Sequence, residues 1–203
     1  AVGAVVIQVH RVTHPPRESE DAGDLGAARA AFESALGADP DRVAPLNDLA
    51  VSYYLEGRFD AARRLLDEVV ARGGAREQQA ALVNLGELYA LEGYVSAAQA
   101  HLESARGIDA GRPEPLYALA MLSDARGDRV QALATLREAL RLDEGGAARA
   151  ALTFVYPEER LHLEALGAEA AGDRDLAAAR WRELKAGRFA ALGAAAARHL
   201  EEP

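Results

Sequence analysis

The sequence has 203 residues, of which half are apolar and 27% are charged, and its formal net charge at pH 7 is -9. This acidic balance disfavours a nucleic-acid or anionic-membrane surface, because either would repel the chain as a whole. The absence of cysteine excludes disulfides and thiolate chemistry, and no run of about 18 continuous apolar residues is present to span a bilayer. Alanine and leucine are abundant while β-branched and aromatic residues are few, which favours helices over sheets.

Residues 1–15 form an N-terminal arm that differs from the rest of the chain. The arm is rich in β-branched residues, which favour extended backbone, and Pro15 and Pro16 end it. Two roles are open at this point. The arm either caps the exposed apolar face of the first helix pair, or it inserts into a neighbouring molecule and produces a dimer.

From residue 16 onwards, apolar residues recur at three- and four-residue steps, which predicts a series of antiparallel helix pairs. The predicted helices span 16–22 with 25–37, 44–55 with 59–72, two helices around Gly93 within 82–111, 114–125 with 129–142, and 158–171 with 175–186. A short extra helix is expected within 147–157. A terminal helix over 189–200 carries Arg198, His199 and Glu201 near its end, as suits a cap on the last pair.

The stretch 82–111 shows the packing that we expect within a pair. Gly86 and Ala98 are small, so the two backbones can approach closely and Leu102 can fill the space beside them. Gly93 suits the left-handed conformation that ends a helix, and Ser96 is the predicted N-cap of the next helix.

This pattern repeats along the chain. Turn glycines follow one another at intervals of 34, 36, 34 and 45 residues, at Gly23, Gly57, Gly93, Gly127 and Gly172. A small residue on the second helix of each pair recurs as Ala28, Ala62, Ala98, Ala132 and Ala177. A bulky residue one turn later recurs as Phe32, Leu66, Leu102, Leu136 and Trp181. We expect Trp181 to fill the core rather than to bind a ligand.

A period near 34 residues with these small and bulky positions resembles the tetratricopeptide repeat (TPR) family, over about residues 16 to 186. The resemblance implies an all-α fold, a right-handed α-solenoid of four to five helix pairs whose first helices line a concave groove. The expected division is an arm at 1–15, repeats near 16–42, 43–76, 79–112, 113–146 and 158–187, an insert at 147–157 and a C-terminal cap at 188–203.

The resemblance also implies that the groove holds a peptide or protein partner. The residues that match the groove-facing positions of the family are Asn47, Val51, Tyr54, Val83, Glu87, Leu91, Tyr117, Met121, Asp124, His162, Leu166 and Glu169. Among them, Glu87, Asp124 and Glu169 would favour a cationic ligand, whereas tyrosine and methionine offer adaptable contact.

Residues with catalytic or metal-binding spacing are scarce. His10 and His14 are four residues apart, but the β-prone sequence around them disfavours the helix that would bring them together on a metal. The sequence contains no H-E-x-x-H motif, phosphate loop, G-x-S-x-G or dinucleotide fingerprint. We therefore expect no catalytic residues, no metal and no cofactor.

The sequence thus predicts a non-enzymatic adaptor or scaffold. Lys185 is the only lysine beside many arginines, which is typical of a GC-rich bacterial genome. Assembly of a bacterial envelope, pilus, secretion or motility machine is one setting, with the compartment open between cytoplasm and periplasm. The alternative is a peptide-sensing regulatory domain cut from a larger signalling or transcription-regulating protein. The absence of an initiator methionine fits a trimmed or a processed chain.

Overall fold

The computed structural model describes residues 8–9, 25–40, 42–56, 58–150, 152–154, 157–187 and 190–201. The fold is the predicted one, an all-α right-handed solenoid of antiparallel helix pairs. Two strands of two residues each accompany the helices in the described part of the chain.

The helices follow one another along the chain as α1 (Leu25–Ala38), α2 (Ala44–Leu55), α3 (Phe59–Arg72), α4 (Ala75–Leu91), α5 (Val95–Ile108), α6 (Glu114–Ala125), α7 (Arg129–Leu142), α8 (Ala147–Ala150), α9 (Pro157–Ala170), α10 (Arg174–Lys185) and α11 (Ala190–Glu201). The strands are β1 (Gln8–Val9) and β2 (Thr153–Phe154).

The helices form two layers. We call α2, α4, α6 and α9 the A helices and α1, α3, α5, α7 and α10 the B helices. Each A helix packs against the B helix on either side of it and against the neighbouring A helices. The A helices are buried along most of their length, whereas the B helices expose their outer faces, so that the A helices form the inner layer of the solenoid.

The packing predicted within the third pair is confirmed. A Cβ atom placed on Gly86 would lie 2.6 Å from Cγ of Leu102 and 3.1 Å from the backbone oxygen of Ala98. The absence of a side chain at residue 86 is therefore what allows α4 and α5 to approach each other. Gly93 has φ of 83° and Gly127 has φ of 85°, as the predicted helix-ending turns require.

The predicted bounds of the second and fourth pairs coincide with α2, α3, α6 and α7. The N-cap prediction is wrong, because Ser96 lies inside the first turn of α5, whose N-cap residue is Tyr94. The short extra helix expected within 147–157 is present as α8, but it ends at Ala150, and Pro157 begins α9.

Strand β1 shows where the described part of the arm lies. Gln8 pairs with Phe154 and Val9 with Thr153 in an antiparallel ladder. Strand β1 also contacts α4, and β2 contacts α9. The expectation that the arm packs on the first helix pair is therefore wrong for these two residues, which lie against the third repeat instead. His10 and His14 lie outside the described residues.

The terminal helix α11 packs along α10 of the last pair and also reaches α6, an A helix of the preceding repeat. Its buried residues include Leu192 and Ala196, which join the same apolar core as Tyr117 and Leu166 of the A helices. Helix α11 thus covers part of the inner layer.

Candidate partner-binding face

Ten of the predicted groove residues are between 0% and 7% exposed, namely Asn47, Val51, Tyr54, Val83, Glu87, Tyr117, Met121, Asp124, His162 and Leu166. The side chain of Glu169 is 14% exposed, and that of Leu91 lies outside the described part of the structure. These side chains belong to the inner layer but present little surface to solvent. Their contact with a partner stays a prediction, and it requires the inner layer to be uncovered.

The chain's own segments lie against this layer at two places. Strand β1 contacts α4, the helix of Val83 and Glu87. Helix α11 contacts α6, the helix of Tyr117, Met121 and Asp124. Repeat periodicity cannot reveal these contacts, because both covering segments lie outside the repeated part of the sequence.

Two of the predicted groove residues also hold neighbouring elements together. The side-chain amide of Asn84 donates to Oδ1 of Asn47 at 2.9 Å, which links α4 to α2. The hydroxyl of Tyr117 donates to Oδ2 of Asp143 at 2.8 Å. Burial and the hydrogen bond to Asp143 raise the pKa of Tyr117. Asp143 also accepts from the backbone N–H groups of residues 148 and 149, so that Tyr117 helps to fix the turn before α8.

The three remaining polar groove residues of the C-terminal half converge on one cluster, centred on Asp124 at the end of α6. Oδ2 of Asp124 lies 2.6 Å from Nε2 of His162 on α9. Its Oδ1 lies 2.6 Å from Nε2 of His199 on α11. The guanidinium of Arg198 donates to the backbone oxygen of Asp124 at 3.2 Å. Both basic residues at the end of α11 therefore bind the same residue of α6.

Glu169 on α9 completes the cluster. Its Oε2 lies 2.7 Å from Nδ1 of His199 and accepts from the indole N–H of Trp181 at 3.0 Å. Its Oε1 accepts from Nε of Arg129 at 2.6 Å. The ring of Trp181 stacks on the imidazole of His199 with centroids 4.0 Å apart and an interplanar angle of 11°. Trp181 is 2% exposed, which confirms its predicted place in the core.

The geometry determines the protonation of His199. Both ring nitrogens face carboxylates, which only accept hydrogen bonds, so both must carry a proton and the ring is an imidazolium. Burial opposes this charge, but the hydrogen bonds to Asp124 and Glu169 outweigh burial and raise the pKa of His199. For Asp124 and Glu169, burial likewise opposes the charged form, and hydrogen bonds from the histidines outweigh it and lower the pKa of each carboxyl group.

His199 is the residue that sequence reasoning placed wrongly. It was expected in a polar cap at the end of the solenoid, whereas the structure buries it to 5% exposure between Asp124, Glu169 and Trp181. A signal was present in the sequence. Leu192, Ala195, Ala196 and His199 recur at three- and four-residue steps, which puts the histidine on the apolar face of α11.

Within the described ranges, no three or more His, Asp or Glu side chains are placed to hold a metal ion. The same ranges contain no helix that combines the length and the apolar character needed to cross a bilayer.

Comparison with known proteins agrees with this architecture. Two family models described as tetratricopeptide repeat match the sequence, one over residues 20–86 and the other over residues 79–104 and 113–138. Together they cover more than half of the chain. The chain belongs to the tetratricopeptide repeat family. Proteins of this family serve as scaffolds for protein–protein interaction, and they bind protein or peptide partners.

Solved structures support the fold of this TPR protein. It is similar to TTC0263, a thermophilic TPR protein of Thermus thermophilus, with a TM-score of 0.56 and 23% identity over 88% of this chain and 92% of that one. It is also similar to a chain of the APC/C hetero-tetramer Cut9-Hcn1, with a TM-score of 0.58 and 19% identity over 79% of this chain. The match spans 30% of that longer chain. No protein of curated function matches the sequence.

Proposed function

We propose that this TPR protein is a non-enzymatic adaptor that binds a protein partner on its inner layer of A helices, and that the partner contributes basic side chains. One observation carries the proposal. Asp124 and Glu169, predicted to favour a cationic ligand, each bind basic side chains in the structure, from α11 and α7. Their binding of imidazolium and guanidinium groups supports an inner layer suited to cations.

The acidic character extends beyond the cluster. Glu87 on α4 is 3% exposed, and with Asp124 and Glu169 it places a carboxyl group on three successive A helices. A buried carboxylate is destabilising without a counter-charge or hydrogen bonds. A basic side chain of the partner can therefore take the place of a basic side chain of this chain, because it supplies the same counter-charge. The three carboxylates therefore define the stretch of the inner layer, from α4 to α9, that would accept a basic partner.

The setting that we propose is a bacterial protein assembly, of the envelope, pilus, secretion or motility kind. Its bacterial part rests on the near-replacement of lysine by arginine. Affinity capture from the source organism, followed by mass spectrometry, identifies the partner and its assembly.

The captured partner then tests the binding face with a matched pair of variants. Glu87→Gln removes a charge from A helix α4, and Glu103→Gln makes the same change on B helix α5, where the residue is exposed. We expect Glu87→Gln to weaken binding by about ten- to a hundredfold and Glu103→Gln to leave it unchanged, since one charge-assisted contact is worth about 1.5–3 kcal/mol. Equal affinities for the two variants would contradict the proposal.

A further inference from the structure

Helix α11 is attached to the inner layer by one polar cluster and a small apolar face. The side chains that it buries fully are those of Leu192, Ala195, Ala196 and His199, within the described part of the helix. Three of these four side chains bury little apolar area or are polar, so that Leu192 contributes most of the apolar burial among them. The specific contacts of α11 are therefore those that His199 and Arg198 make with Asp124, Glu169 and Trp181.

The connection to the rest of the fold is short. Helix α10 ends at Lys185 and α11 begins at Ala190, so that residues 186–189 alone join them. Helix α11 lies outside the repeated helix pairs, so its local opening does not require the pairs beneath it to unfold. The contacts of α11 with α6 and with α10 would be the ones lost.

We propose that the site formed by Asp124 and Glu169 is the partner-binding site of the inner layer, and that α11 fills it as an internal ligand which the partner's helix displaces. This inference rests on the proposed adaptor function and adds the chemistry of the partner. The partner is an amphipathic helix that carries a histidine or arginine where α11 carries His199.

The contacts of α11 specify the spacing on that partner helix. Counting back from the imidazole of His199, small residues stand three and four positions earlier, at Ala196 and Ala195, and a leucine stands seven positions earlier, at Leu192. These positions share one face of a helix. A ligand of this class therefore presents a basic residue for the two carboxylates, small residues that permit close approach, and one aliphatic side chain for the core.

The charged and titratable groups that face His199 come from every element packed on it. They are Asp124 from α6, Glu169 and His162 from α9, Arg129 from α7 beyond Glu169, and Arg198 from α11 itself. The ligand must carry positive charge to balance the carboxylates of Asp124 and Glu169. Arg129 already binds one of them, Glu169. Binding of a histidine-bearing helix should thus weaken as the pH rises through the pKa of its imidazolium.

The test uses the full chain and a synthetic peptide of residues 188–203, with binding followed by a label on the peptide. Three receptors are compared: the wild-type chain, the His199→Gln chain, whose own α11 has lost its imidazolium, and the His101→Gln chain. His101 lies on B helix α5, so the last variant is a matched control. A second peptide carries His199→Gln.

We expect the peptide to bind the His199→Gln chain about tenfold more tightly than the wild-type or His101→Gln chain, and the Gln peptide to bind that receptor about tenfold more weakly. Absence of peptide binding, equal binding to the three receptors, or equal binding of the two peptides would each overturn the proposal. A wild-type chain that proves to be a dimer exchanging α11 would also overturn it, because the occupant would then be a second copy.

Hydrogen exchange on the wild-type chain tests displacement without a variant. Saturating peptide should accelerate exchange of the α11 amides while the B helices stay protected, and unchanged α11 exchange would overturn the proposal. The result is separable from that for the adaptor function. If the peptide does not bind while the captured partner still binds the Glu87→Gln chain more weakly, the adaptor proposal is supported and the proposed displacement of α11 is refuted.

Discussion

The close packing of α4 on α5 can be tested by adding one carbon atom to Gly86. A Cβ at this position would lie 2.6 Å from Cγ and 2.7 Å from Cδ2 of Leu102, which is itself 1% exposed. Leu102 cannot withdraw into solvent, and the backbone oxygen of Ala98 at 3.1 Å blocks the other side. Gly86→Ala must therefore push the two helices apart.

Gly107 provides the matched control. It lies on α5 and is exposed, and a Cβ placed there would meet nothing within 4 Å. Replacing glycine by alanine within a helix gains up to about 1 kcal/mol in either position. Overpacking at Gly86 costs about 1–3 kcal/mol, which offsets or exceeds that gain. The two variants should therefore differ in stability by about 1–3 kcal/mol, with Gly107→Ala the more stable.

Thermal unfolding followed by circular dichroism measures the difference. For a chain of this size, 1 kcal/mol shifts the Tm by about 2–4 °C, so we expect the Tm of Gly86→Ala to lie roughly 2–12 °C below that of Gly107→Ala. A Gly86→Ala chain that melts at the same temperature as Gly107→Ala, or above it, would refute the packing of α4 on α5 described here.

Three further predictions concern the core and the cluster. Ala98→Leu should lower the free energy of unfolding by roughly 1–3 kcal/mol in urea titration, because Ala98 is 0% exposed; an unchanged midpoint would mean that its side chain points elsewhere. Tyr117→Phe should cost about 1–2 kcal/mol in the same assay through the lost bond to Asp143, and a neutral result would show that this bond contributes nothing. The anchoring of α11 should be complete between about pH 4.5 and 6.5. Because the pKa of His199 is raised, the stability that its charge contributes is present below pH 6.5 and is lost as the pH rises through the folded-state pKa. Because the pKa of Glu169 is lowered, the stability that its carboxylate contributes is present above pH 4.5 and is lost as the pH falls through the folded-state pKa. Fluorescence of Trp181, the single tryptophan, should report this step above pH 6.5 in the wild type and not in His199→Gln; the same step in both would assign it to another group.

The repeated part of the fold was predictable because each pair carries the same small and bulky positions. Ala62, Ala98 and Ala132 lie at the same place in successive pairs, and all are 0% exposed. Helix ends were predictable where a turn glycine or a proline marks them, but not at Ser96, where the turn places Tyr94 at the N-cap without a side-chain hydrogen bond.

The covering of the inner layer was not predictable from the repeat. The family pattern states which residues of an A helix face inwards, yet it contains no information on segments outside the period, such as β1 and α11. Asp124, His162 and Glu169 were selected from two positions of the pattern in two repeats. In the structure His162 binds Asp124 directly, and His199, which belongs to no repeat, joins Asp124 to Glu169. Long-range contacts of this kind depend on how the chain end folds back onto the solenoid.

The most direct test of the account is a hydrogen-exchange comparison of the chain with and without its captured partner. If the partner binds the inner layer, amides of α4, α6 and α9 should gain protection while those of α11 lose it. Protection confined to the outer faces of α3, α5 and α7 would place the partner on the opposite side of the solenoid and contradict the account.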